Sequence, residues 1–234
     1  MTERARERFD VVIVGAGFAG LYALHRMRQL GFETVVLEAG SGIGGTWYWN
    51  AYPGARCDVA SFEYSYSFDA ELQDQWRWSE RFAKQPEILA YLEHVADRLK
   101  LKPDIRLDTR VETTRWKEED SCWLIDTTAG TLESRFLLMA SGSLSKPNLP
   151  AIDGLDVFRG SLFHSSRWPR HEIELAGKRV GVVGTGSSGV QIIGNIAAKA
   201  GELYVFQRRP HWVVPAGNRP ISDEEDRRKG ARAS

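Results

Sequence analysis

Apolar and polar residues alternate along this chain in blocks that predict strand, helix, strand. Phe9–Val14 reads as an apolar strand bounded by glycine. Leu21, Leu24, Met27 and Leu30 follow at helical spacing, and Gly31 sits where a helix stops on a left-handed residue. Thr34–Leu37 is a second, parallel strand, completing a strand–helix–strand unit of about thirty residues. A long aromatic loop runs from Gly42 to Phe68. Pro86 then marks a helix start, and Ile88, Leu89, Leu92, Val95, Ala96 and Leu99 give that helix one apolar face to lay over the sheet.

Residues 105–139 change period. Ile105–Trp116, Cys122–Thr128 and Thr131–Met139 predict a small antiparallel meander with its turn at Ala129-Gly130, and the last segment is expected to return to the main sheet. Lys146–Pro150 and Asp153-Gly154 read as a linker. A second unit opens with the strand Arg179–Val183, its helix carrying Val190, Ile193 and Ile196, and closes with Leu203–Phe206. Beyond that the periodicity gives out into prolines and the charge run Asp223–Lys229. One such unit has too little sheet to bury a core of its own. The expectation is therefore a larger fold of which this chain holds only part.

Composition narrows the class. Apolar residues make up 42% and charged residues 26% of 234, ordinary for a globular protein, and the net charge is zero. No global field draws the chain to nucleic acid or an anionic membrane. The charged start lacks a signal-peptide apolar region, and no apolar run approaches a membrane span. Cys57 and Cys122 are isolated, and the five histidines form no close ligand pair. A cytoplasmic protein without a metal is expected, with most of the eight tryptophans serving as packing.

Two glycine patterns carry the chemistry: Gly15-Ala-Gly17-Phe18-Ala-Gly20 and Gly184-Thr185-Gly186-Ser187-Ser188-Gly189. Each follows a strand and opens an apolar helix, the context that makes GxGxxG a dinucleotide fingerprint. The first glycine permits a tight turn, the second a close backbone approach to pyrophosphate, and the third close packing of helix on strand. At the tip of the first unit's second strand stands Glu38, and at the tip of the second unit's stand Gln207, Arg208 and Arg209. A carboxylate accepts from a ribose 2′-hydroxyl, whereas arginines welcome a 2′-phosphate. The pattern predicts an α/β chain of two Rossmann-like units plus a meander, the second unit incomplete, holding a plain adenosine dinucleotide at the first site and an NADP-type one at the second, the pair that an enzyme passing electrons from NADPH to a bound FAD would need.

Gly44–Asp58 combines glycines, a hydroxyl, flat aromatics and one carboxylate, chemistry that suits a flavin. Within it Asp58 is either functional or a salt-bridge partner of Arg56, and Cys57 reads as a buried thiol rather than a nucleophile. Spacing alone makes His164 a connector histidine satisfied by backbone.

The run Phe158-Arg-Gly-Ser-Leu-Phe-His164-Ser-Ser-Arg-Trp168-Pro169, placed between the two fingerprints, resembles the FxGxxxHxxxW signature of Baeyer–Villiger monooxygenases of the phenylacetone/cyclohexanone type. The resemblance extends from Phe9 to about Glu225. Related N- and S-oxidising flavin monooxygenases usually carry tyrosine where Trp168 stands. It implies that Gly15, Gly17, Phe18, Gly20 and Glu38 hold the FAD adenosine and pyrophosphate, and that Gly45, Thr46, Trp47, Asp58, Tyr64 and Val111 also contact FAD. It implies further that Arg56, Cys57 and Asp58 border the nicotinamide. Gly184, Thr185, Gly186, Ser187, Ser188, Gly189 and Gln191 would wrap the NADP pyrophosphate, with Arg208 and Arg209 on the 2′-phosphate. The family commonly has threonine where Arg209 stands. His164 and Trp168 would act at the domain interface, coupling NADP movement to flavin chemistry rather than transferring protons, and Asp58 would tune a catalytic arginine beyond Ser234.

Such enzymes use NADPH, FAD and O2 to insert one oxygen beside a ketone carbonyl, giving an ester or lactone. The resemblance divides the chain into an FAD-binding part (1–145), a linker with the signature (146–176), the start of an NADP-binding domain (177–214) and a polar, disordered tail (215–234). It implies a truncated form that needs a missing C-terminal portion to be a competent oxygenase. Two other readings stand beside it: an N/S-oxidising flavin monooxygenase, and an inert nucleotide-binding fragment. A disulfide reductase is disfavoured by the lack of a CxxC pair.

Overall fold

The structure, a computed structural model, describes residues 6–144 and 146–228. The linker boundary at Ser145 and the last residues of the expected tail, 229–234, lie outside the described residues. Contacts divide the chain into two compact units, one built from the residues up to Tyr48 with Leu89–Lys146, the other from Trp49–Ile88 with the residues from Pro147 onward. In order, the elements are β1 (Glu7–Val14), α1 (Phe18–Gln29), β2 (Thr34–Leu37), α2 (Thr46–Trp49), α3 (Ala70–Gln75), α4 (Gln85–Arg98), β3 (Ile105–Arg106), β4 (Val111–Lys117), β5 (Cys122–Thr127), β6 (Gly130–Met139), β7 (Arg179–Val183), α5 (Ser187–Ile196), β8 (Glu202–Phe206) and α6 (Asp223–Arg228).

The first unit is a six-stranded sheet in the order β3-β2-β1-β6-β5-β4. Strand β1 lies between β2 and β6, parallel to both, with Val12 opposite Val35 and Leu137. Val11, Val12 and Ile13 are all buried, as a central strand covered on both faces requires. Phe9, Val12, Val35, Leu37, Ile125 and Leu132 form the core cluster. Leu21 and Leu24 of α1, and Leu92, Val95 and Ala96 of α4, are buried as their helical spacing predicts. Helix α1 ends as Gly31 implies: Gly31 (φ 83°) donates to Arg28 and Phe32 donates to Met27, a Schellman close.

The meander differs from the expected one in two places. Ile105–Trp116 is not one strand. Ile105 and Arg106 pair in parallel with Val36 and Leu37, and Val111–Lys117 pairs antiparallel with β5. Between them Asp108 takes a left-handed conformation (φ 52°). The amides of Asp108 and Thr109 donate to the carbonyls of Gly40 and Glu38, so the break closes around the tip of β2. The hairpin between β5 and β6 pairs Thr127 with Gly130, leaving Thr128-Ala129 as the loop, one residue earlier than expected. The return of β6 to the main sheet is as expected.

The second unit contains the parallel pair β7-β8 with α5 following β7. Its two strands cover little: Val183 is 65% and Phe206 57% exposed. The expected disorder after residue 214 is corrected over 218–228. The amides of Arg81 and Ile221 donate to the carbonyls of Arg219 and Ser79, and Asn218 Oδ1 accepts from the Phe82 amide. Helix α6 starts on a capping box. Ser222 Oγ accepts from the Glu225 amide, and Glu225 Oε2 accepts from the Ser222 amide. Asp226 is buried and pairs with Arg77. No helix among the described residues is long and apolar enough to cross a membrane.

Candidate functional site

In the first unit two of the three fingerprint glycines, Gly15 and Gly20, each remove a specific collision. A Cβ on Gly15 (φ 104°) would lie 2.6 Å from the Ala140 carbonyl oxygen, and one on Gly20 would lie 1.8 Å from that of Gly15. Gly17 faces Gly45 (φ 53°), whose Cβ would stand 2.9 Å from the Gly17 Cα. The predicted pyrophosphate glycine and the predicted flavin-side glycine therefore meet backbone to backbone. Helix α1 starts at Gly17 with no side-chain cap and no acidic residue in its first turn, leaving its N-terminal amides to an anion. Glu38 is 5% exposed; Oε2 accepts from the Ala16 amide and Oε1 from the Gly40 amide, both at 2.8 Å. Phe18 stacks on Tyr91, and Val111 packs against the core cluster. Trp47 is buried on α2 beside the exposed Thr46.

The second unit repeats this construction with a different tip. A Cβ on Gly189 would lie 2.3 Å from the Gly184 carbonyl oxygen, and Gly184 has φ 101°. Helix α5 starts at Gly186, also without a side-chain cap or first-turn acid, so Ser187 and Ser188 open it with free helix-end polarity. Helices α3, α4 and α6 all carry acids in their first turns, so the two fingerprint helices differ from them in keeping an unneutralised positive end. Gln207 Nε2 donates to Thr185 Oγ1 at 3.0 Å. Arg208 and Arg209 are exposed, and neither joins an ion pair among the described residues.

The aromatic loop is held on two edges. Its residues 55–57 pair with 83–85: Gln85 and Cys57 donate to the carbonyls of Ala55 and Ala83. On the other edge Gln191 bonds Tyr52 and the Arg56 backbone. The Arg56 guanidinium lies 3.6 Å from Glu80, which Lys84 and Asn218 also contact. Asp58 is exposed and is not the partner of Arg56. Cys57 is 3% exposed, and burial pushes its thiol pKa up, as a buried thiol requires. Burial likewise raises the Tyr64 phenol, with Cys57 and Asp58 adding to it. In the signature, His164 Nδ1 accepts from the Ser166 amide and caps a short 3-10 turn. Trp168 packs on Phe163, and Arg167 lies over the Trp49 ring at 4.1 Å.

These features make a pair of glycine-cradled helix ends with chemically different tips. Residues 12–220 match the family model described as pyridine nucleotide-disulphide oxidoreductase. The chain belongs to this family. It is 44% identical to a Baeyer–Villiger monooxygenase of Pseudooceanicola batsensis over 92% of its own length and 40% of the relative's. It is 45% identical to a phenazine N-monooxygenase of Lysobacter antibioticus, covering 95% of this chain and 41% of that one. The crystal structure of OTEMO in complex with FAD and NADP superimposes with a TM-score of 0.91 at 43% identity, over 96% of this chain and 44% of that one. Homologues and structural neighbours are thus Baeyer–Villiger and related flavin monooxygenases, and the chain spans roughly two fifths of the length of the curated relatives it matches.

Cys57 and Cys122 are both buried and free. Among the predicted site residues, Gly15, Gly17, Phe18, Gly20, Glu38, Gly45, Thr46, Trp47 and Val111 fall in the first unit. Arg56, Cys57, Asp58, Tyr64, His164, Trp168 and the residues from Gly184 to Arg209 fall in the second. Sequence reasoning missed Tyr52, Glu80, Arg167 and Asn218, which orient the loop and the signature. Arg167 stood inside the recognised motif and was legible as a cation; Glu80 and Asn218 carried no local signal.

Proposed function

We propose that this chain supplies the nucleotide-binding framework of an FAD- and NADPH-dependent Baeyer–Villiger monooxygenase. The observation that carries the reading is the contrast between the tips: a buried, amide-held carboxylate at one fingerprint and, at the other, two exposed arginines that join no ion pair among the described residues. The fit to two dinucleotides is supported by the turns themselves, where a Cβ on Gly20 or Gly189 would strike the carbonyl of Gly15 or Gly184 and one on Gly45 would crowd Gly17.

A bound flavin and nicotinamide supply hydride transfer and O2 activation; the protein supplies binding, orientation and exclusion of water. An ionised carboxylate has about four acceptor positions, and Ala16 and Gly40 take one on each oxygen of Glu38. The remaining positions would accept from ribose hydroxyls. The amides at the start of α1 and α5 take the two pyrophosphates, and Arg208 with Arg209 takes the 2′-phosphate. Arg56 and Asp58 present opposite charges from one braced loop, the arrangement needed to seat a nicotinamide amide and orient a cation. His164 and Trp168 shape the signature segment, and Arg167 fastens it to Trp49. The ketone and O2 are the proposed co-substrates.

The N-oxidising reading stays in view because a phenazine N-monooxygenase is as similar as the Baeyer–Villiger relatives. The test is a chimaera carrying this chain in place of the matching portion of a ketone-oxidising relative, assayed with NADPH, 18O2 and cyclohexanone or phenazine. Labelled lactone with NADPH consumption supports the proposal. N-oxide without lactone favours the second reading, and a colourless chimaera without bound flavin refutes both.

A further inference from the structure

Gln191, one turn into α5, commits its amide to the aromatic loop. Oε1 accepts from the Tyr52 hydroxyl at 3.0 Å and from the Arg56 amide at 3.3 Å, while Nε2 donates to the Arg56 carbonyl at 3.2 Å. The assignment of oxygen and nitrogen is fixed by the partners, since a backbone N–H can only donate and a backbone carbonyl can only accept. A primary amide has two acceptor positions and two N–H donors. Both acceptors and one donor are used inside the protein, leaving one N–H.

The backbone around this contact is close-packed. Gly54 (φ 82°) lies against α5, where a Cβ would stand 2.0 Å from Asn195 Nδ2 and 2.8 Å from the Gln191 carbonyl oxygen. Asn195 Nδ2 in turn donates to that same carbonyl. On its far edge residues 55 and 57 bond residues 83 and 85 through backbone groups, and Ser61 Oγ accepts from the Ala83 amide. The α5 edge of Arg56 therefore depends on a single side chain that reads both of its backbone groups.

We propose that Gln191 is a positioning residue that fixes the Arg56–Cys57–Asp58 backbone to the second fingerprint helix, rather than a ligand of the pyrophosphate. The inference rests on the proposed NADP site at α5. It makes the helix end that takes the pyrophosphate and the loop proposed to border the nicotinamide one mechanical piece. Tyr52 is the second support of the same joint.

The test compares the wild-type chain with Gln191→Leu, Gln191→Glu and Tyr52→Phe. The ligand-free readout is hydrogen exchange of the Arg56 amide; the ligand readout is affinity for NADP+ and for 2′,5′-ADP, which lacks the nicotinamide half. Loss of the staple's hydrogen bonds should speed Arg56 exchange and weaken NADP+ about tenfold in Gln191→Leu, with 2′,5′-ADP changed less than about twofold. Gln191→Glu keeps the acceptors and loses the donor, so its effect falls between. Tyr52→Phe gives part of the loss and adds nothing in the Gln191→Leu background. Unchanged Arg56 exchange in Gln191→Leu overturns the proposal, as does weakened NADP+ binding without faster exchange, which is the signature of a direct ligand. A wild-type chain that binds neither nucleotide refutes the NADP reading, while the exchange comparison still decides the staple.

Discussion

Replacing the third glycine of either fingerprint with alanine should disable one nucleotide site and spare the other. At Gly20 the added Cβ would sit 1.8 Å from the Gly15 carbonyl oxygen and 3.0 Å from its carbonyl carbon. The obstacle is backbone and has no rotamer to escape into. Gly15 is itself pinned, its amide donating to the Leu37 carbonyl and its turn so close to Ala140 that a Cβ on it would stand 2.6 Å from the Ala140 carbonyl oxygen. Relief requires α1 to back away from the turn by roughly 1.2 Å, the shortfall from the closest approach that Cβ atoms make. Overpacking of this kind costs about 1–3 kcal/mol. For a chain of this size that lowers Tm by roughly 2–12 °C. The same shift moves the α1 amides off the pyrophosphate, and losing even one hydrogen bond to a charged group weakens FAD about ten- to a hundredfold. Gly189→Ala is the mirror case, with its Cβ 2.3 Å from the Gly184 carbonyl oxygen. Titrating both variants with FAD by flavin fluorescence, and with NADP+ by calorimetry, checks this. Gly20→Ala should lose FAD and keep NADP+, and Gly189→Ala the reverse. Wild-type FAD binding and Tm in Gly20→Ala would refute the reasoning, as would loss of both ligands from either change.

Further outcomes follow from the same geometry. Glu38→Gln replaces one amide-accepting oxygen with a donor facing a backbone N–H, so a thermal melt should show about 1–3 kcal/mol of destabilisation and FAD should bind roughly tenfold more weakly; unchanged values would sink the carboxylate's role. Arg208→Ala should cost NADP+ about ten- to a hundredfold while leaving NAD+ untouched, measured by calorimetry with each coenzyme. The Glu225 carboxyl is held down to about 2, first by its bond to Arg219 and then by the Ser222 amide. Its pKa is depressed, so its contribution to docking of 218–228 is full above the ordinary value near 4.5 and is lost as pH falls through about 2. Limited proteolysis or hydrogen exchange of this segment across that window should show the loss, and Glu225→Ala should remove the pH dependence. Both cysteines are buried and burial raises the Cys57 thiol, so thiol reagents at neutral pH should label them only after unfolding; fast native labelling of Cys57 contradicts the packing.

Much of the fold was readable because its signals are local. The βαβ periodicity, the stop at Gly31 and the glycine fingerprints each depend on residues within a few positions of one another. The break at 107–110 was not, because Ile105, Leu107, Thr109 and Val111 keep a strand-like alternation straight through it, and only the bonds of Asp108 and Thr109 to the β2 tip end the strand. Helix α6 had a legible start in Ser222 and Glu225, a capping box overshadowed by the charge run around it. For the site, residue types and tips were visible, but mutual orientation was not. Gln191 finds its partners 135 and 139 positions away, and Glu80 meets Asn218 across 138. Such pairings have no expression in spacing.

Calorimetric titration of the wild-type chain with FAD, NADP+ and NAD+, alone and in the presence of one another, tests the two-site account most directly. It predicts one FAD and one NADP+ bound together per chain, with NAD+ at least about tenfold weaker than NADP+ for want of a charge-assisted contact to Arg208 and Arg209. Competition between FAD and NADP+ for a single site, or equal affinity for NAD+ and NADP+, would contradict it.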